Sequence, residues 1–212
     1  MAVSDINSDG RSDLIVDDRL LFGDGHGRFT SRRLAHGAYG VGSGDLDRDG
    51  TRDLVAFDQR GIDVALGTGR GQFAPPTPFG TQISADSGFQ DAPSIAELNS
   101  DATRDVLANA TFAGLTFFSG DGRGGLSDPT VVPIGGAFDG ASYEKVEDVN
   151  GDGVPDVVLL APHFRWCDAA EYDTLQVFLG GKPTARASAA RLSVTPSQAV
   201  AGQRTCFNAA AP

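Results

Sequence analysis

Four short stretches of this chain set oxygen-bearing side chains at alternate positions, a spacing that can hold a hard cation. The clearest is Asp45-Leu-Asp47-Arg-Asp49-Gly50-Thr51-Arg-Asp53, which runs directly into the apolar Leu54, Val55, Ala56 and Phe57. Oxygen side chains at positions one, three and five, a Gly at six for a sharp turn, a main-chain carbonyl at seven (Thr51) and a carboxylate at nine suit the six to eight oxygen ligands that Ca2+ takes. The same string recurs as Asp5, Asn7, Asp9, Gly10, Arg11 and Asp13, and as Asp148, Asn150, Asp152, Gly153, Val154 and Asp156, with Arg11 and Val154 offering carbonyls. A fourth copy, Glu97, Asn99, Asp101, Thr103 and Asp105, has Ala102 at position six, where positive φ favours Gly. The expected cofactor is Ca2+, at three sites and a weaker or empty fourth.

An EF-hand or dockerin-type loop would add an acidic ligand at position twelve. Here that position is Val16, Ala56, Ala108 and Leu159, each in an apolar run that reads as a strand. Thrombospondin-type repeats place their copies almost end to end with cysteines between. These copies start at residues 5, 45, 97 and 148, with strand-like sequence filling the gaps.

Stepping out from the loops, each interval holds short apolar runs and a Gly-rich turn, and nowhere a sustained helical period. In the first unit Ala2 to Ile6, Asp13 to Asp17, Arg19 to Gly23 and Arg28 to Leu34 read as strands, with Gly23-Asp-Gly25-His-Gly27 as the turn. The second unit has Gly40 to Leu46, Asp53 to Phe57, Ile62 to Leu66 and Gln72 to Phe79. The third has Ser94 to Leu98, Asp105 to Asn109, Leu115 to Phe118 and Leu126 to Ile134. The fourth has Tyr143 to Val149, Asp156 to Leu160 and Thr174 to Leu179, then loses the Gly-rich turn. Four-stranded units repeating at this period predict an all-β protein, a β-propeller of four-stranded blades, with four repeats visible at about 1–40, 41–91, 92–140 and 141–182. Four blades are either a closed ring or an arc of a larger propeller.

The net charge of -11 argues against nucleic acid or an anionic membrane surface as partner. No run approaches the roughly 18 apolar residues of a membrane span. Nearly half of the 28 acidic residues lie in the four loops, and four bound Ca2+ would carry eight positive charges against that -11. Clustered like charge weakens the metal-free fold, and metal that binds only the folded form stabilises it. The expected location is extracellular or at the cell surface, where calcium is millimolar. Met1-Ala-Val-Ser opens no signal peptide, so the chain reads as a piece of a longer protein. Cys167 and Cys206 either pair in an oxidising compartment or are unrelated thiols.

The loop D-x-[DN]-x-D-G-x-x-D followed by Phe22-Gly23-Asp-Gly25-His-Gly27-Arg-Phe29 resembles the FG-GAP or VCBS repeat, the calcium-binding blade of integrin α-subunit propellers and many bacterial surface proteins. The resemblance covers about residues 1–182. It implies a propeller with the calcium loops and Gly-rich turns on one face, and it spans adhesion, sugar binding and enzyme scaffolds alike. Residues 183–212 read as a linker and the start of a possible immunoglobulin-like module, from their resemblance to bacterial modules of that kind.

On the opposite face the connection Pro162 to Asp173 is about ten residues longer than its counterparts, and holds His163, Arg165, Trp166 and Tyr172. Phe89 and Phe138 lie in interblade segments expected beside it. Aromatic and acidic side chains on loops suit a sugar or protein ligand. The competing role for Trp166, Phe164 and Phe138 is to plug the ring. No nucleophile elbow, zinc-protease helix or Walker loop is present. The function expected is a non-catalytic calcium-binding module for adhesion or for protein or glycan binding, attached to other domains; the alternatives are the scaffold of a secreted lyase or hydrolase, and a structural spacer.

Overall fold

The computed structural model describes residues 1–34, 40–58, 61–80, 92–110, 114–132, 143–165 and 170–181. Within these residues the chain is all-β and contains no helix, so none long and apolar enough to cross a membrane.

Four antiparallel sheets follow one another along the chain. The first is β1 (Ala2–Ser4), β2 (Asp13–Val16), β3 (Arg19–Gly23) and β4 (Phe29–Arg33), paired in that order. The second is β5 (Gly40–Gly44), β6 (Asp53–Asp58), β7 (Gly61–Ala65) and β10 (Thr77–Gly80); β8 (Gly67–Gly69) and β9 (Gln72–Phe73) form a small ribbon in its Gly-rich turn. The third is β11 (Ser94–Ala96), β12 (Asp105–Ala110), β13 (Gly114–Phe118) and β14 (Thr130–Val132). The fourth has three strands, β15 (Tyr143–Glu147), β16 (Asp156–Arg165) and β17 (Ala170–Phe178).

Three segments differ from their sequence reading. The outer strand expected over 72–79 is broken, because Pro75 and Pro76 have no N–H to give a ladder; pairing resumes at Thr77 opposite Val64. Of the strand expected over 126–134, β14 begins only at Thr130, with Pro129 just before it and Leu126 making an isolated bridge to Gly120, and residues 133 and 134 lie outside the described residues. The long connection from Pro162 to Asp173 is not an open loop. Pairing between β16 and β17 continues from Val157↔Phe178 out to Arg165↔Ala170, leaving only 166–169 outside the described residues. Pro162 fits because the described part of β15 reaches only to Leu160, so past that point β17 is the one paired neighbour of β16 among the described residues.

The core forms between successive sheets. Side chains alternate across a strand, so neighbours on one strand serve different layers. Leu54 and Val41 join Ile6, Ile15 and Leu20 between sheets one and two, whereas Val55, Phe57, Ile62 and Val64 join Val106, Ala108 and Phe118 between sheets two and three. Leu107 and Leu115 then meet Val157 and Leu159 between sheets three and four. Sheets two and three are therefore apolar on both faces. Among the described residues no buried cluster joins sheet four to sheet one.

The first strands of successive sheets lie close together, and glycine makes that possible. A Cβ on Gly42 of β5 would stand 2.2 Å from the carbonyl oxygen of Pro93, and one on Gly44 would stand 2.5 Å from Ile95 of β11. Gly42→Ala drives a methyl into backbone and should destabilise the fold by about 1–3 kcal/mol, as overpacking does. Gly10→Ala is the control: open space surrounds it, and its φ of +82° limits the loss to about 1 kcal/mol. Urea unfolding of the two variants reads the difference.

Candidate metal centre

Each acidic loop connects the first strand of its sheet to the second. Two left-handed residues curl it, at positions four and six: Ser8 and Gly10, Arg48 and Gly50, Ser100 and Ala102, Gly151 and Gly153. Ala102 adopts φ +68°, so the third loop keeps the path of the others despite lacking the glycine. Its Cβ carries the local strain of that region.

The side chains at positions one, three and five turn inward and accept from the loop's own amides. Asp5 accepts from the N–H groups of Asp9 (3.1 Å) and Gly10 (2.9 Å), and Asp148 accepts from Gly151, Asp152 and Gly153. Those three donors hold the Asp148 carboxyl below the usual range, the Gly153 N–H contributing most. Glu97 accepts from Asp101 N–H at 3.1 Å. Position three caps position five in all four loops: Asn7 Oδ1 to Asp9 N–H (3.0 Å), Asp47 to Asp49 (3.2 Å), Asn99 to Asp101 (3.0 Å) and Asn150 to Asp152 (2.8 Å). Position five in turn accepts the N–H of position seven, from Arg11, Thr51, Thr103 and Val154. The Thr51 and Thr103 hydroxyls also donate there, which holds the pKa of Asp49 and of Asp101 below the ordinary carboxylate value.

The second loop stands apart. Asn7, Asn99 and Asn150 each lay an amide NH2 across the next carboxylate at 3.0 Å, but the equivalent Asp47 has no donor to offer. Asp45, Asp47 and Asp49 each present a carboxylate oxygen, and these oxygens lie within 4.8 Å of one another. Oδ1 of Asp45 is buried with no hydrogen-bond partner. An orphaned acceptor in a loop whose three carboxylates converge fits a bound cation, since burying an unpaired charged oxygen is otherwise unfavourable.

The carboxylate at position nine behaves differently from the rest. Asp13, Asp53, Asp105 and Asp156 are fully buried. One oxygen of each accepts the N–H at position two of its own loop: Ile6 (2.9 Å), Leu46 (2.6 Å), Leu98 (2.9 Å) and Val149 (3.0 Å). The other accepts the N–H of the glycine that ends the third strand or follows it: Gly23 (2.8 Å), Gly67 (2.7 Å), Gly120 (3.2 Å) and Gly180 (2.8 Å). The carboxylate thus clamps the acidic loop to the turn. Burial nevertheless pushes Asp53 and Asp105 up, outweighing those bonds, with nearby loop carboxylates adding to the effect.

Sequence reading assigned position nine to the metal and missed this clamp. The available signal was the invariant glycine: a Cβ at Gly23, Gly67, Gly120 or Gly180 would stand 2.0–2.4 Å from the carbonyl oxygen at position eight. Gly180 keeps this role although the fourth turn looked eroded. Two arginines tie neighbouring sheets. Arg48 donates to the Ala102 carbonyl of the next loop, and Arg32 donates to the Gly71 carbonyl while lying over the Phe22 and Phe73 rings at 5.3 and 5.5 Å.

Of the expected ligand-face residues, Phe89, Phe138 and Trp166 lie outside the described residues, as do Cys167 and Cys206. The backbone places His163 opposite Tyr172 in the β16–β17 register, and Arg165 opposite Ala170.

Residues 45–108, from the second acidic loop through the third and into β12, match a family model described as an FG-GAP-like repeat. Among solved structures it is similar to a lectin of Agrocybe aegerita, one described for specific recognition of non-reducing terminal N-acetylglucosamine. The TM-score is 0.53 at 15% identity over 76% of this chain, which is a likeness of fold. The aligned part spans 48% of the lectin chain. No curated protein matches this chain in sequence.

Asp53→Ala should lower stability by about 2–5 kcal/mol, because it strands two buried amides at once. Asp53→Asn keeps one acceptor and should lose about half as much. Ala102→Gly should gain about 1 kcal/mol by relieving the left-handed alanine. Denaturant midpoints in EGTA measure all three.

Proposed function

We propose that this chain is a calcium-stabilised, propeller-type binding module that recognises a glycan or protein ligand. The observation that carries the reading is the second loop, with three converging carboxylate oxygens and an orphaned acceptor on Asp45. In this reading Ca2+ is held by the side chains of Asp45, Asp47, Asp49 and Asp53 and the carbonyl of Thr51, and by their counterparts at Asp5 to Asp13 and Asp148 to Asp156. The Glu97 to Asp105 loop binds more weakly. Bound Ca2+ supplies charge neutralisation; the chain's own part is to pre-shape the loop through the amide bonds and the buried position-nine clamp.

The binding half of the reading is supported by the FG-GAP-like repeat and by the lectin-like fold. Rigid stacked sheets carry loops at their edges, a common way to position a recognition surface. Residues 1–182 form the module and 183–212 lead toward other domains of a longer extracellular or surface protein. In this reading the β16–β17 hairpin, with His163, Arg165 and Tyr172, makes the recognition edge, and Phe89, Phe138 and Trp166 are further candidates for ligand contact.

Calorimetric titration with Ca2+ should show binding that shrinks by one site in Asp45→Asn/Asp49→Asn, and Ca2+ should raise the melting temperature by several degrees, as a ligand at about 100 times its Kd stabilises by about 2.7 kcal/mol. A glycan array that includes terminal N-acetylglucosamine should give calcium-dependent binding. Folded protein indifferent to both Ca2+ and EGTA would contradict the metal reading; an array and a protein pull-down both blank in Ca2+ would contradict the recognition reading.

A further inference from the structure

The four acidic loops share one backbone path, so what separates them lies in their side chains. Ala102 enters the left-handed region at φ +68°, beside +82° for Gly10, +83° for Gly50 and +87° for Gly153. The missing glycine therefore leaves the course of the third loop unchanged. Its acids, however, are occupied from within. Asn99 spreads its amide NH2 over Asp101 at 3.0 Å, Asp105 at 3.3 Å and the Ser119 hydroxyl at 3.1 Å. Among the described residues the NH2 groups of Asn7 and Asn150 donate to the position-five carboxylate alone, and Asp47 has no such group.

A cationic side chain marks the same loop. Arg48 stands at position four of the second loop, where the other loops carry Ser8, Ser100 and Gly151. It lies between Asp47 and Asp49, yet among the described residues it makes no ion pair with its own loop. Arg11 does the opposite and stays beside Asp9 of the first loop at 3.7 Å. The Arg48 guanidinium crosses instead to the third unit, where it donates to the Ala102 carbonyl. It lies against the third turn: a Cβ on Gly122 would stand 3.3 Å from its Nε and 3.4 Å from its Cζ, and 3.2 Å from the Thr103 methyl. The Thr103 hydroxyl is the main reason that Asp101 sits below the ordinary carboxylate value, and the positive charge of Arg48 adds to it.

We propose that Arg48 is the third loop's own counter-cation, so that a guanidinium from the second loop, together with the Asn99 amide, does there part of what a metal ion does in the second. Arg48 thereby leaves the four carboxylates of its own loop to a metal and sets its charge beside the three of the next, Glu97, Asp101 and Asp105. A divalent ion entering the third loop meets an additional positive charge. Coulomb repulsion from one such charge, screened by solvent and salt, weakens binding about fivefold. The weakness of the third loop then follows from Arg48 rather than from Ala102. The metal half of this inference rests on the calcium reading of the loops; the counter-charge half does not.

Two measurements on the full chain test it. Arg48 is exposed, so its variants should fold, as circular dichroism checks. In the first measurement Ca2+ is titrated at low salt while NMR follows the amides of Thr51 and Thr103. Arg48→Gln should tighten the response of Thr103 about fivefold, and that of Thr51 less. Arg48→Lys, which keeps the charge, and Ala102→Gly should both leave the Thr103 response as it is in the unaltered chain. No change in Arg48→Gln, or an equal gain in Ala102→Gly, overturns the proposal. The second measurement needs no metal: urea midpoints in EGTA for Arg48→Gln, Asp101→Asn and the double variant. Arg48→Gln should lower the midpoint, and lower it less when Asp101 is already Asn, a coupling that fades in molar salt. Additive losses, or losses indifferent to salt, would mean that Arg48 only ties two sheets together, which also overturns the proposal. If no loop responds to Ca2+, the calcium reading fails by itself, and the cycle in EGTA still decides the role of Arg48.

Discussion

A buried carboxylate, repeated four times, is the constraint on which this architecture depends. Asp13, Asp53, Asp105 and Asp156 each begin the second strand of a sheet, and each has both oxygens committed to backbone amides from two separate segments. That geometry fixes the acidic loop against the turn after the third strand. It also forces glycine at that turn, because the amide can reach the carboxylate only if the α-carbon lies against a carbonyl. Burying four charges is unfavourable in itself, as the raised pKa of Asp53 and Asp105 shows. Two charge-assisted bonds apiece offset part of this, and a cation in the adjacent loop would offset more.

The clamp explains how sheets of modest size come to be stacked in order. Each sheet has only three to four short strands and could not bury enough apolar surface alone. Pinning the loop to the turn squares off one end of each sheet, so that position-two residues such as Leu46 extend the core to the sheet's edge. Between sheets, glycine in β5 lets backbones approach, and Arg32 and Arg48 cross from one unit to the next. Stability in such an array is a sum of unit and interface terms, so a fault in one clamp spreads to both neighbouring interfaces.

Much of this was legible in the residues. The alternating oxygens, the apolar run after each loop and the period of roughly 40–50 residues led to repeated antiparallel sheets without reference to coordinates. In the third loop alanine at position six still enters the left-handed region, because the surrounding amide bonds determine the loop's path. The strand ends misjudged near Pro75, Pro76 and Pro129 turn on which amides a proline removes. The extension of β16 and β17 was read as a long connection, since Pro162 and the polar residues that follow it give no clear strand pattern in the sequence. The dual bond of position nine was hidden because a metal ligand and a backbone clamp call for the same residue.

The most direct measurement of the central claim is amide hydrogen exchange, followed by NMR in calcium-free buffer, at Gly23, Gly67, Gly120 and Gly180. If the buried aspartates clamp the turns, these four amides exchange as slowly as those of Val55 and Val106 in the strand cores, and Asp53→Ala exposes Gly67 while sparing Gly23. Exchange at the rate of an open turn in all four would mean that the clamp is absent, and that the glycines serve only the bend.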